Sequence, residues 1–281
     1  MTVVTHKDPD AIGLTSFSTS TRFGRIHYVG PATRAHKEAV VFLHGFGSNW
    51  SIWIPLIEAS RRLGLLSNLD LLLIDLPSFG SSENRIGHLI SREVGEELLA
   101  LTDSLGYTKI HLAGHSMGGF LALDLAASSK RVLSVHLVAG SYLTLLQVVQ
   151  HPGRGLVRNP RIASFYFFQL LISRSDILTA AVNGLSSVGV ASRPRLYKLG
   201  GKSFLYASRN GLNYDARRIW GQISVPVYAT FGSIDKLVPP SDMRELQSIV
   251  PSAHTTLIPG AAHSMLVTHP DETAKAIFSD I

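Results

Sequence analysis

The segment Gly-His-Ser-Met-Gly-Gly at residues 114–119 constrains this chain more than any other feature of its sequence. The short apolar run Lys109–Ala113 precedes it, and the stretch Phe120–Ala127 that follows is typical of a helix. A tight turn between a strand and a helix holds its serine at a strained backbone angle and requires glycine two residues to either side. We therefore expect Ser116 to be an exposed nucleophile, with the Met117 N–H directed toward a developing oxyanion.

Apolar runs and helical segments alternate along most of the chain. A hairpin is predicted within residues 14–30, and helices are predicted over residues 52–63 and 89–105. Runs typical of strands buried on both faces of a parallel sheet lie at residues 39–43 and 70–76. Further apolar runs lie at residues 109–113 and 132–138, and two more strands are predicted at residues 225–231 and 255–258. This alternation predicts an α/β fold with a mostly parallel central sheet flanked by helices.

The alternation stops between residues 141 and 222, where no buried strand is predicted and helical stretches lie between glycines and prolines. We interpret this segment as an inserted helical cap or lid, between core parts at residues 1–140 and 223–281. The apolar stretch Phe165–Ile172 within it is expected to pack one face on the core, and its remainder could line an acyl pocket.

Three further loops complete a candidate catalytic site. The strand at residues 39–43 ends in His44-Gly45-Phe46-Gly47, and the Phe46 N–H is the natural second oxyanion donor. Asp235 follows a later strand, and His263 follows the last one. The order Ser, Asp, His is the order that this architecture uses. His263 would accept the serine proton, and Asp235 would hold the correct imidazole tautomer.

Two other candidates are assigned different roles. Asp75 precedes the serine and follows the wrong strand for this order, so we expect it to brace its loop. His115 lies in the turn itself, next to Ser116, and its position there directs it away from acting as the base. No His/Asp/Glu cluster has metal-ligand spacing, so neither a metal nor another cofactor is expected.

These motifs resemble those of the α/β-hydrolase fold superfamily, in its capped serine esterase and lipase branch, from about residue 14 to the end. The resemblance also includes Asp75-Leu76-Pro77-Ser78-Phe79-Gly80, in which relatives commonly carry glycine at the position of Ser78. It implies a carboxylic-ester hydrolase with an acyl-enzyme intermediate. A thioesterase, a lactonase or a cofactor-free perhydrolase would use the same residues, and a ligand receptor on this fold is the alternative from another class.

Composition limits the partners and the compartment. The chain has no cysteine, and neither a secretory signal nor an apolar run long enough to span a membrane is recognised, so a cytoplasmic protein is expected. The net charge is +6, yet residues 141–222 contain eleven lysines and arginines against two aspartates. We expect a small-molecule ester as partner, with an apolar acyl chain or an anionic group attracted by this segment. Nucleic acid is not expected, since no aromatic and basic binding motif is present.

Overall fold

The computed structural model of the 281-residue chain describes residues 8–22, 24–66, 68–83, 92–140, 216–279 and 281. Most of the predicted cap, including the stretch Phe165–Ile172, lies outside these residues. The end of that segment forms two short 3₁₀ helices, Ala216–Arg218 and Trp220–Gln222. The division into core and cap therefore stays a prediction.

Within the described residues, one sheet contains eight strands: β1 (Thr15–Thr21), β2 (Gly24–Gly30), β3 (Glu38–Leu43), β4 (Asp70–Ile74), β5 (Lys109–His115), β6 (Val132–Val138), β7 (Val227–Gly232) and β8 (His254–Ile258). Their order across the sheet is β1-β2-β4-β3-β5-β6-β7-β8. The β1–β2 hairpin is antiparallel, as is the β2–β4 pair, and all other neighbours are parallel. The predicted hairpin and the mostly parallel sheet are confirmed.

Helices flank the sheet: α1 (Ile54–Arg62), α2 (Arg92–Ser104), α3 (Met117–Ser128), α4 (Ser241–Ile249), α5 (Met265–Thr268) and α6 (Pro270–Phe278). Two 3₁₀ helices, Pro9–Ile12 and Trp50–Trp53, precede β1 and α1. The helix predicted over residues 52–63 thus begins as 3₁₀ and continues as α1. The helix predicted over residues 89–105 corresponds to α2.

The two faces of the sheet carry separate apolar cores, because neighbouring residues of a strand point to opposite faces. In β3, Val41 and Leu43 pack with α2, α3 and α4, whereas Val40 and Phe42 pack with α1, α5 and α6. All four side chains are at most 1% exposed. This burial on both faces explains the continuous apolar run of the strand in the sequence.

The parallel strands set the place of the candidate site. Strands β3, β5, β7 and β8 run in the same direction, so the loops that leave their carboxyl ends meet at one edge of the sheet. Phe46 follows β3, Asp235 follows β7 and His263 follows β8, while Ser116 lies directly after β5.

Candidate active site

The turn between β5 and α3 holds Ser116 at φ 51° and ψ −118°, a conformation that a residue with a side chain rarely adopts. The residues two positions before and after Ser116 must be glycine, because a side chain there would clash. A Cβ atom on Gly118 would lie 2.0 Å from the Leu43 carbonyl oxygen, and one on Gly114 would lie 2.6 Å from that of Gly118. The Ser116 N–H donates to the Val138 carbonyl oxygen over 3.2 Å, which ties the strained residue to β6.

A continuous series of hydrogen bonds joins the three predicted catalytic side chains. The Ser116 Oγ atom lies 3.0 Å from His263 Nε2, and His263 Nδ1 lies 2.9 Å from Asp235 Oδ2. The other carboxylate oxygen, Oδ1, accepts the N–H groups of Leu237 and Val238 over 2.7 and 3.0 Å. With a carboxylate facing Nδ1, the proton of the neutral ring belongs on Nδ1, and Nε2 is free to accept the serine proton.

The loops that carry Asp235 and His263 are bonded to each other. The Ser233 N–H donates to the Ile258 carbonyl oxygen over 3.1 Å, and the Ile234 N–H donates to that of Ala261 over 3.0 Å. Helix α5 then begins two residues after His263, and its first two side chains are fully buried. Asp235 and His263 are therefore held by the ends of two paired strands.

The loop after β3 packs directly against the Ser116 turn. A Cβ atom on Gly45 would lie 3.1 Å from the Cβ atom of Ser116, so glycine allows the main chain to approach. Phe46 follows, and its ring packs edge-on against Phe79 at 5.6 Å between centroids. Met117 is the first residue of α3, where main-chain N–H groups have no partner within the helix. Phe46 and Met117 thus belong to segments that adjoin the serine, and their role as oxyanion donors stays a prediction.

His44 supports that loop in a way that sequence reasoning missed. Its Nε2 accepts the Leu76 N–H over 3.1 Å, so its proton is on Nδ1, which donates to the Gly45 carbonyl oxygen over 2.8 Å. The ring is completely buried and links the loop after β3 to the loop after β4. Its position at the end of a buried strand was visible in the sequence, but neither partner was.

The carboxylate of Asp75 braces its loop, as expected from its place before the serine. This carboxylate is fully buried and accepts the N–H groups of Trp50 and Ser81, each over 2.8 Å, and contacts His27 Nδ1, also at 2.8 Å. The same loop has Ser78 at φ 72°, a left-handed conformation that favours glycine. The departure from glycine noted in the sequence thus falls on a position where glycine fits better.

The His115 side chain faces the main chain of His263, and the ring nearest the Ser116 hydroxyl is that of His263. The Nε2 atom of His115 lies 3.1 Å from the main-chain oxygen of His263, and the His115 ring is 7% exposed. Burial, and secondarily the nearby His263, lower its pKa to about 3, so the ring is neutral at ordinary pH.

The described residues contain no group of three or more His, Asp or Glu side chains that could hold a metal ion. No helix in the described ranges combines the length and apolar character needed to cross a membrane.

The fold and the strained serine turn define a class, and comparison with known proteins identifies it. The chain belongs to the alpha/beta hydrolase family, whose pattern matches residues 40–276. It is 25% identical to the pimeloyl-[acyl-carrier protein] methyl ester esterase of Aeromonas salmonicida, over 85% of this chain and 93% of that protein.

Two further proteins are similar to this chain. The dihydrolipoyllysine-residue acetyltransferase component of the acetoin cleaving system of Pseudomonas putida is 28% identical over 80% of this chain, and the match spans 58% of that longer protein. The crystal structure of a bromoperoxidase from Bacillus anthracis superposes with a TM-score of 0.74 at 19% identity, over 95% of this chain and all of that one. This structural likeness shows the shared fold.

Proposed function

We propose that this hydrolase cleaves a carboxylic ester through an acyl-enzyme intermediate, with Ser116 as nucleophile, His263 as general base and acid, and Asp235 as its orienting carboxylate. The observation that carries the proposal is the unbroken hydrogen-bond series from Asp235 through His263 to Ser116 Oγ. The strained backbone of Ser116 supports the same assignment, because such strain is costly and clusters at functional sites.

The proposed reaction has two stages, acylation and deacylation. Ser116 Oγ attacks the ester carbonyl carbon while its proton moves to His263 Nε2, and the N–H groups of Phe46 and Met117 stabilise the oxyanion. The intermediate collapses, the C–O bond to the alcohol breaks, and His263 returns the proton to the departing alcohol. A water molecule then attacks the acyl-enzyme in the same way, releasing the carboxylic acid and regenerating the serine.

We propose an ester as the substrate, ahead of a thioester or a lactone. The esterase relative from Aeromonas salmonicida supports this choice, since its name records the hydrolysis of a methyl ester. A thioester or a lactone would require the same residues and differ only in the leaving group. A receptor that keeps the fold and binds without turnover is the alternative from another class.

The test uses aryl esters of graded acyl length together with a fluorophosphonate probe. The wild-type protein should turn over many equivalents of ester and be labelled at one residue. Ser116→Ala should lose labelling and several orders of magnitude in kcat while the unfolding midpoint is kept, because triad residues act as a unit. Labelling without multiple turnover of any acyl ester would favour the receptor, and near-normal turnover by Ser116→Ala would refute the assignment.

We further propose that the substrate carries a negative charge, on the evidence of the basic composition of residues 141–222. Charge of one sign near a site raises encounter rates, and salt screens it over about 8 Å at physiological strength. The value of kcat/KM for a carboxylate-bearing ester should fall as salt rises, while that of a neutral ester of equal size stays constant. An equal response of the two esters would contradict this part of the proposal.

A further inference from the structure

The side chain of His115 contacts the general base of the proposed mechanism through the main chain. Its Nε2 lies 3.1 Å from the carbonyl oxygen of His263, a residue 148 positions away in the sequence. A carbonyl oxygen can only accept, so Nε2 carries the proton and donates it in this bond. The two rings lie 5.2 Å apart between centroids.

The remaining sides of the His115 ring face the other parts of the site. A Cβ atom on Gly45 would lie 2.9 Å from His115 Nδ1, so this nitrogen faces the loop that carries Phe46. The Trp53 ring packs edge-on against the imidazole at 6.4 Å. The imidazole therefore fills the space between the serine turn, the oxyanion loop and the loop of the base.

Packing alone does not account for a histidine at this position. Its Nδ1 atom is buried and has no hydrogen-bond partner among the described residues, and a buried polar atom without a partner is destabilising. An apolar side chain would fill the space without this cost. What the imidazole adds is one N–H group aimed at the main chain of His263.

We propose that His115 is a positioning residue that holds the main chain of His263 over Ser116. This inference rests on the proposed function, because it concerns the geometry of that triad. His263 must reach Ser116 Oγ at 3.0 Å on one side and Asp235 Oδ2 at 2.9 Å on the other. A small displacement of its backbone lengthens at least one of these two bonds.

The protonation of His115 suits this role. Its pKa of about 3 keeps the ring neutral, with one donor, throughout the pH range in which a histidine base works. A neutral ring also adds no positive charge beside His263, which must itself become cationic during the reaction.

The experiment compares three substitutions of His115. In His115→Gln the amide nitrogen can occupy the place of Nε2, whereas in His115→Asn it reaches only the place of Nδ1, and His115→Leu has no donor. We expect His115→Leu and His115→Asn to lower kcat about 10- to 100-fold, as a misplacement of catalytic groups by about 1 Å does. KM should change little, and His115→Gln should recover most of the lost rate.

His136 supplies a matched control. It is also buried, has a pKa lowered to about 3 chiefly by burial, and has a buried Nδ1 atom without a partner among the described residues. Its Nε2 lies 2.8 Å from Ser134 Oγ, and its ring stacks on Tyr228, away from the triad. His136→Leu should therefore shift the unfolding midpoint and leave kcat unchanged.

The rate of fluorophosphonate labelling at Ser116 is the second readout, because it does not depend on the choice of ester. Slower labelling by His115→Leu and His115→Asn, restored in His115→Gln, supports the inference. Wild-type kcat and labelling in His115→Leu, failure of His115→Gln to recover, or an equal loss in His136→Leu would overturn it. Absence of ester turnover in a wild-type protein that is still labelled counts against the proposed substrate, and the labelling comparison still decides the role of His115.

Discussion

Replacing Asp235 by asparagine should leave the site intact and give the base the wrong tautomer. Two main-chain N–H groups, those of Leu237 and Val238, donate to Asp235 Oδ1. An amide NH₂ group cannot accept them, so the single oxygen of the asparagine must take that place. The NH₂ group then faces His263 Nδ1, which becomes an acceptor. The ring proton moves to Nε2, which can no longer accept the proton of Ser116.

The magnitude follows from the loss of the tautomer. In serine triads this loss lowers kcat roughly 10⁴-fold, which corresponds to about 5 kcal/mol in the activation barrier. The effect on stability should be much smaller, because both main-chain hydrogen bonds to the side chain are kept. We expect the free energy of unfolding to fall by about 1 kcal/mol, the difference between a charged and a neutral acceptor.

Asp75→Asn provides the matched control, since Asp75 is also a buried carboxylate bonded to a histidine and to two main-chain N–H groups. It should lower the free energy of unfolding by about 1–3 kcal/mol and affect kcat less than Asp235→Asn does. The assay is kcat for an aryl ester together with urea unfolding of each variant. A reversed pattern, with Asp75→Asn nearly inactive and Asp235→Asn close to wild type, would refute the assignment of the acid.

Two further predictions follow from the packing and burial around the site. Gly118→Ala should abolish labelling of Ser116 and lower the thermal unfolding midpoint, because the new Cβ atom would lie 2.0 Å from the Leu43 carbonyl oxygen. A fully active variant would contradict this prediction. The free energy of unfolding should fall as the pH drops from about 6.5 toward 3. In this range the unfolded chain binds protons at His115 and His136, whereas the folded protein does not, because burial lowers both pKa values to about 3. In urea unfolding, each histidine should contribute a slope of about 1.4 kcal/mol per pH unit to the free energy of unfolding. His136→Leu should remove the contribution of His136, and an unchanged slope would show that His136 is protonated in the folded state.

Local patterns in the sequence predict several parts of the fold and of the candidate site. Continuous apolar runs predict strands buried on both faces, and the sheet has them at β3, β4, β5 and β6. The two glycines around Ser116 predict a tight strand-to-helix turn, because only a residue without a side chain fits there. The order of Ser116, Asp235 and His263 selected them as candidates, since each follows a predicted strand of one parallel sheet.

Hydrogen bonds between segments that are far apart in the chain could not be predicted from local patterns. No local pattern shows that His115 Nε2 meets the carbonyl oxygen of His263, that His44 bonds Leu76, or that Asp75 accepts the N–H of Trp50. These partners depend on which strands are neighbours and on how their loops pack at the shared edge of the sheet. Periodicity reports which face of an element is buried, whereas the partner of a buried polar atom is determined by residues from other elements.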